Sequence, residues 1–166
     1  PMPLVSEIRS FFPKTILLAG CISNGRDIAS AMQMGADLAY MGTRFINTTE
    51  CRSSDEYRDM VIKSGASDIV YTAAVSGVSA NFLRSSLEAM GITQEIWEQK
   101  AKVDFGKKLG MAEAEAKAWK TVWSAGQGVT TIKDVVPVAE LVNRMKNEMI
   151  DAINDQQQLL EKFADQ

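Results

Sequence analysis

Histidine is missing altogether from the 166 residues. Its absence removes a Ser-His-Asp triad, a Cys-His pair and any His-ligated metal from the chemistry this chain can carry by itself. Cysteine is scarce. Cys21 and Cys51 form a lone pair without metal-ligand spacing, so no metal site is expected, and reduced thiols in the cytoplasm are the expectation. No basic run accompanies the net charge of −3, which argues against a nucleic-acid partner. No apolar stretch approaches the length of a membrane span and no signal peptide is visible, so no membrane association is expected. An initial methionine is lacking too: the chain opens at Pro1, almost directly in a helix, and reads as a piece of something longer.

What is present is ordinary globular material, 46% hydrophobic and 23% charged, enough for one domain or one plus a small insertion. The chain is organised around Lys14 to Ile46. Thr15–Ala19 is a short apolar run, as expected of a parallel strand covered on both faces. It ends in turn residues from Gly20 to Gly25. Ile28, Ala31 and Met32 recur at helical spacing, with Gly35 placed to stop the helix. Ala36–Met41 reads as a second strand, closed by Gly42-Thr43. Two strands each ending in glycine would set two clusters of backbone N–H groups at one sheet edge. A phosphate suits such a place, because no Cβ blocks its approach and the following helix N-terminus adds positive potential. The alternative is that these glycines are only turn and cap residues, since the spacing is not that of a dinucleotide fingerprint.

Elsewhere, Pro3–Phe12 is an amphipathic helix with Leu4, Val5, Ile8, Phe11 and Phe12 on one face, and its packing partner is expected to lie partly outside the chain. Ser53 and Glu56 have capping-box spacing before a helix carrying Tyr57, Met60 and Val61. Asp68–Val75 alternates, as a short strand or an ordered crossover would. From Asn81 the pattern reads helical as far as Gly91, and two more helices are expected over Thr93–Leu109 and Met111–Trp123. Lys100, Lys102, Lys107 and Lys108 read as a solvated face. Ser124–Gly128 is a loop that could present backbone to a ligand or be a simple turn. Pro137 opens a last helix with Val138, Leu141, Val142, Met145, Met149 and Ile153 on one face, fraying beyond Asn154.

Four segments, in this order, carry a family likeness: LLAGCISNGRDIASAMQMGADLAYMGTRF, DIVYTAAVSGVSANFLR, WSAGQGV and the PVAELVNRM helix. Together they resemble the C-terminal part of the nitronate monooxygenase family, also called 2-nitropropane dioxygenases, which are FMN-dependent TIM-barrel flavoproteins. The resemblance implies an α/β fold, the C-terminal portion of a (β/α)8 barrel with an inserted, mainly helical domain. On that reading residues 1–46 hold the last two barrel strands and the FMN-phosphate loops, 47–128 the helical insertion, and 129–166 the closing helix and tail. It implies FMN-phosphate contacts, mainly by backbone N–H groups, at Gly20, Cys21, Met41, Gly42, Thr43 and Arg44. Cys21 departs from the family, which commonly has a second glycine there; a backbone donor survives that change if its φ is negative. The family's earlier strands, flavin-ring contacts and proposed catalytic histidine would lie upstream of Pro1, so no catalytic residue is assigned here. The implied activity is oxidation of an alkyl nitronate with oxygen, inactive in this chain alone, which would need the missing N-terminal half or a second copy. The alternatives are an FMN-dependent reductase of the same superfold, acting on enoyl-acyl-carrier-protein or on quinone with NADH, and a non-catalytic fragment or assembly module. GVSANFLR and WSAGQG favour the monooxygenase branch.

Overall fold

A computed structural model describes residues 2–75, 77–98 and 122–164. In chain order its helices and strands are α1 (Met2–Phe11), β1 (Leu17–Ala19), α2 (Gly25–Gln33), β2 (Leu38–Tyr40), α3 (Thr43–Ile46), α4 (Asp55–Lys63), β3 (Ile69–Thr72), β4 (Ala80–Leu83), α5 (Arg84–Ala89), α6 (Gln94–Trp97) and α7 (Val138–Ala164). The fold is mixed α/β. Its contacts divide it into two compact units, Pro1–Arg52 with Asp134–Gln166, and Ser53–Lys133.

In the first unit β1 and β2 are parallel, with Leu17 opposite Leu38 and Ala19 opposite Tyr40, and α2 is the crossover between them. Asn24 caps α2 by accepting from Asp27 N. Gly35 ends the helix at φ +104, a conformation that disfavours any side chain. One face of the sheet is covered: Ile16, Leu18, Ile22, Ala31 and Ala36 pack with Val5 of α1. The other face is not. Leu17, Leu38 and Tyr40 are 51%, 53% and 61% exposed. The expectation of strands covered on both faces is therefore corrected, because side chains alternate along a strand and the helices of this unit lie on one side only.

Arg9 fastens α1 to this sheet, donating to the carbonyls of Lys14 and Gly35 and to the Asp37 carboxylate at 2.6 Å. Asp37 also accepts from Ile16 N at 2.8 Å. That bond, and then Arg9, hold its carboxyl below the usual range. On α1 itself Val5 is buried while Leu4, Phe11 and Phe12 are exposed, so its expected apolar face is only partly used.

Helix α7 begins one residue after Pro137, and both carboxylate oxygens of Glu50 accept from Val138 N. That charge-assisted contact holds the Glu50 carboxyl below its usual range. Leu141 and Met145 pack with Val136, against Ile28, Met41 and Phe45. Val142 and Ile153, expected on the same face, are exposed. The expected fraying beyond Asn154 is also corrected. The helix continues through Gln156-Gln157-Gln158 to Ala164, because glutamine is a good helix former even where packing has ended.

In the second unit α4 is capped by Ser54, whose hydroxyl accepts from Tyr57 N, one residue later than the expected Ser53. β3 and β4 form an antiparallel pair, Ile69 opposite Leu83 and Val70 opposite Phe82. A helix was expected from Asn81; residues 80–83 are instead a strand, because pairing with β3 buries Phe82 and Leu83 completely. Gly91, at φ +74, closes α5 as expected. Of the two further helices expected, Gln94–Trp97 is seen; 99–121, with the four lysines, lie outside the described residues, and Val122 and Trp123 are not helical.

Candidate functional site

The parallel register decides where the glycine loops meet. β1 and β2 run side by side about 4.8 Å apart, and they leave the sheet at the same end. Gly20-Cys21 follows Ala19, and Met41–Arg44 follows Tyr40 into α3. The register thus brings all six sequence-derived candidates to one edge. Gly20, Cys21 and Gly42 are exposed, Met41 and Thr43 half-buried, and Arg44 buried.

The loop after β1 turns through two consecutive left-handed residues, Gly20 at φ +98 and Cys21 at φ +59. Cys21 is the one non-glycine residue with positive φ among those described. The expected negative φ at Cys21 is corrected: its φ is positive, which strains its Cβ and leaves its N–H in place. The chain here follows a glycine-like path with a side chain attached, a conformation that costs energy for a residue with a Cβ. A Cβ placed at Gly20 or Gly42 would meet nothing within 4 Å, so the backbone at both loops can be approached. Gly42 differs from Gly20 in having an ordinary φ of −113.

The helix N-terminus beside these loops is less free than the sequence implies. Ser23 N donates to Asp27 Oδ2 at 2.9 Å, Gly25 N to Glu148 Oε2 at 2.7 Å and Asp27 N to Asn24 Oδ1 at 2.8 Å. Two carboxylates of the protein already complement the positive end of α2. Asn24 and Asp27, three apart, are a legible cap signal; Glu148 is 123 residues from its partner and carries no local signal.

The Arg44 side chain points away from such a ligand role. It donates to Asp134 Oδ1 at 2.7 Å and to the Asp134 and Asn47 carbonyls. Burial pushes its guanidinium below the usual value while the Asp134 charge opposes that. Asp134 is shared with Arg144 at 2.6 Å. Met41 packs into the core, so Met41 and Arg44 could offer a ligand only their backbones.

Within the second unit the Ser124–Gly128 loop is held by its own surroundings. Leu83 N donates to the Trp123 carbonyl, Trp123 N to Ser86 Oγ, and the Tyr57 hydroxyl to the Ser124 carbonyl. The Tyr57 and Trp123 rings stack with centroids 5.0 Å apart. Of the loop itself, the Ser124 carbonyl is thus taken within this unit. Among the described residues no group of acids and thiols is placed to hold a metal, and no helix is long and apolar enough to cross a membrane.

A model of the family described as nitronate monooxygenase matches residues 2–148. The chain belongs to the nitronate monooxygenase family. A nitronate monooxygenase of Paraburkholderia phytofirmans is 32% identical over 149 residues, covering 86% of this chain and 40% of that protein. Among solved structures, FabK from Thermotoga maritima superposes with a TM-score of 0.74 at 23% identity, over 95% of this chain and 51% of that one. A nitroalkane oxidase from Streptomyces ansochromogenes gives 0.67 at 23% identity, over 93% and 45%. These two likenesses show the fold. The chain spans about half the length, or less, of the family relative and of both structures.

Proposed function

We propose that this chain supplies the cofactor-phosphate part of an FMN-dependent oxidoreductase of the nitronate monooxygenase type. The observation that carries the reading is the parallel register of β1 and β2, which delivers Gly20-Cys21 and Met41–Arg44 to one sheet edge. The loops after the last two strands of a (β/α)8 barrel are a frequent phosphate site. On this reading β1 and β2 are those strands, residues 47–128 are an insertion, and 129–166 supply the closing helix. The bare sheet face bearing Leu17, Leu38 and Tyr40 suits the packed interior of such a barrel.

The residues fit a phosphate at the backbone level. Gly20 and Gly42 leave open space, and the Gly20–Ile22 and Gly42–Arg44 segments offer peptide N–H groups as donors, each charge-assisted contact being worth roughly 1.5–3 kcal/mol. The redox step, electrons leaving an alkyl nitronate and passing to oxygen, is chemistry that FMN supplies when bound. This chain's own part is to bind and orient. It offers no histidine as a base. Asp37 sits at the start of β2, at the end opposite the glycine loops, and is engaged by Arg9. We assign it no catalytic role. Completion of the site is assigned to an upstream half of the barrel or to a second copy, in a cytoplasmic setting.

Titration with FMN, followed by flavin fluorescence, tests the reading. Binding that Gly42→Val weakens supports it; an unchanged dissociation constant in that variant removes Gly42 from the site. Oxygen uptake with an alkyl nitronate and FMN should not exceed that of free flavin for this chain alone. The likeness to FabK keeps a reductase as the second reading. Oxidation of a nicotinamide by the chain paired with its upstream half, without nitronate turnover, would select it.

A further inference from the structure

Glu148 lies on α7, yet its carboxylate takes the first backbone donor of α2, Gly25 N, at 2.7 Å. The two helices touch at that point. A Cβ on Gly25 would stand 2.0 Å from the Met145 carbonyl oxygen and 2.5 Å from Met149 N. A substitution at Gly25 would thus force the helices apart, and its glycine is explained by close approach rather than by a turn. Gly25 directly follows the loop whose left-handed residues are Gly20 and Cys21. Asp27 takes Ser23 N, and the Asn24 side chain takes Asp27 N.

We propose that Glu148 is a positioning residue for the Gly20–Ser23 loop, and that together with Asp27 it closes the first turn of α2 to an incoming anion. This rests on the phosphate reading above and sharpens it: the anion is confined to the loop amides of Gly20–Ile22 and Gly42–Arg44. The positive end of α2 is spent on the protein's own carboxylates. A second anion there would meet like charge at hydrogen-bond range and find Gly25 N already bonded. α7 thereby sets the cofactor loop without touching the ligand.

Residue-resolved amide exchange and chemical shifts on the full chain, first alone and then with inorganic phosphate, test both halves. In Glu148→Ala, Gly25 N should exchange at least about tenfold faster, the ratio one charge-assisted hydrogen bond contributes. The Ser23 amide, bonded to Asp27, should follow it and the Gly20–Ile22 amide shifts should move, while buried Ala31 of the same unit reports opening of that unit and stays constant. Glu148→Gln keeps an acceptor in place and should leave Gly25 protected. In the unaltered chain phosphate should shift the amides of Gly20–Ile22 and Gly42–Arg44 and leave Gly25 and Asp27 unmoved. Unchanged exchange at Gly25 and Ser23 with unmoved Gly20–Ile22 shifts in Glu148→Ala would overturn the positioning role, and phosphate shifts at Gly25 in the unaltered chain would overturn the closure. If phosphate shifts no amide while Glu148→Ala still deprotects the loop, positioning stands and the phosphate reading falls.

Discussion

Among the described residues the molecule holds two small sheets that are finished to different degrees. In the antiparallel pair β3–β4, Phe82 and Leu83 are 0% exposed, and Phe82 packs with Val70, Leu87 and Val122. In the parallel pair β1–β2 one face is packed, while Leu17, Leu38 and Tyr40 stand more than half exposed on the other. The difference follows from connectivity. A hairpin pairs strands that lie close in sequence, so local chain can bury Phe82 and Leu83 on its two faces although Tyr71 stays exposed, whereas a parallel pair needs a crossover helix that covers one side. The unfinished sheet is also the one that carries the glycine loops. Its bare face and the edge proposed for the cofactor phosphate belong to the same two strands.

Substitutions in the two sheets would break this comparison most directly. Phe82→Ala should cost about 3–5 kcal/mol, because a fully buried aromatic is lost and a cavity is left. At concentrations dilute enough to keep the chain monomeric, Leu17→Ala should stay within about 0.5 kcal/mol in the same denaturant melt. Equal costs would mean that the β1–β2 face is covered in solution. Within the first unit Asp134→Ala strips the partner from buried Arg44; breaking a buried pair costs about 3–5 kcal/mol, and here about 2–3, since Asp134 is itself 38% exposed.

Self-association sharpens the comparison next. Leu17, Leu38, Tyr40 and Phe11 each forfeit up to roughly 1.5–3 kcal/mol of burial, and both edges of the β1–β2 pair lack a strand partner among the described residues. Sedimentation velocity at micromolar concentration should show oligomers, and Leu17→Glu with Leu38→Glu should shift them toward monomer. A monodisperse monomer with a sharp cooperative melt would show that the bare face needs no cover.

Gly42→Val acts at the proposed phosphate edge and should weaken FMN binding about tenfold, the ratio lost with one charge-assisted contact. The ordinary φ of Gly42 and the open space around it let the valine be accommodated, so the fold should melt unchanged. The smallest effect concerns acid. The Asp37 carboxyl is held below its usual range by Ile16 N and then by Arg9, so its contribution is present above the unfolded value of about 3.9 and is lost as pH falls through the folded one. Asp37→Asn should therefore lower the melting temperature slightly near neutrality. The gap should close below about pH 4. A gap that persists at pH 2 would mean that Asp37 acts through geometry and not through its charge.

The amino-acid sequence by itself determined the local pieces whose signals are short-range. Asn24 with Asp27, Gly35 and Gly91 mark helix ends because caps and left-handed stops depend on neighbouring residues. The strand-glycine-helix-glycine-strand order likewise gives away β1, α2 and β2, and with them the edge where the candidates gather. Residues 80–83 were not legible, since a short apolar run is helix or strand according to what it pairs with, and β3 decides that. The tertiary structure alone decided that the Arg44 guanidinium turns inward to Asp134, that Glu148 fills the start of α2, and that one face of the parallel sheet is bare. Each of these joins residues or elements far apart in sequence, where no local propensity reaches and only packing and charge pairing choose the partner.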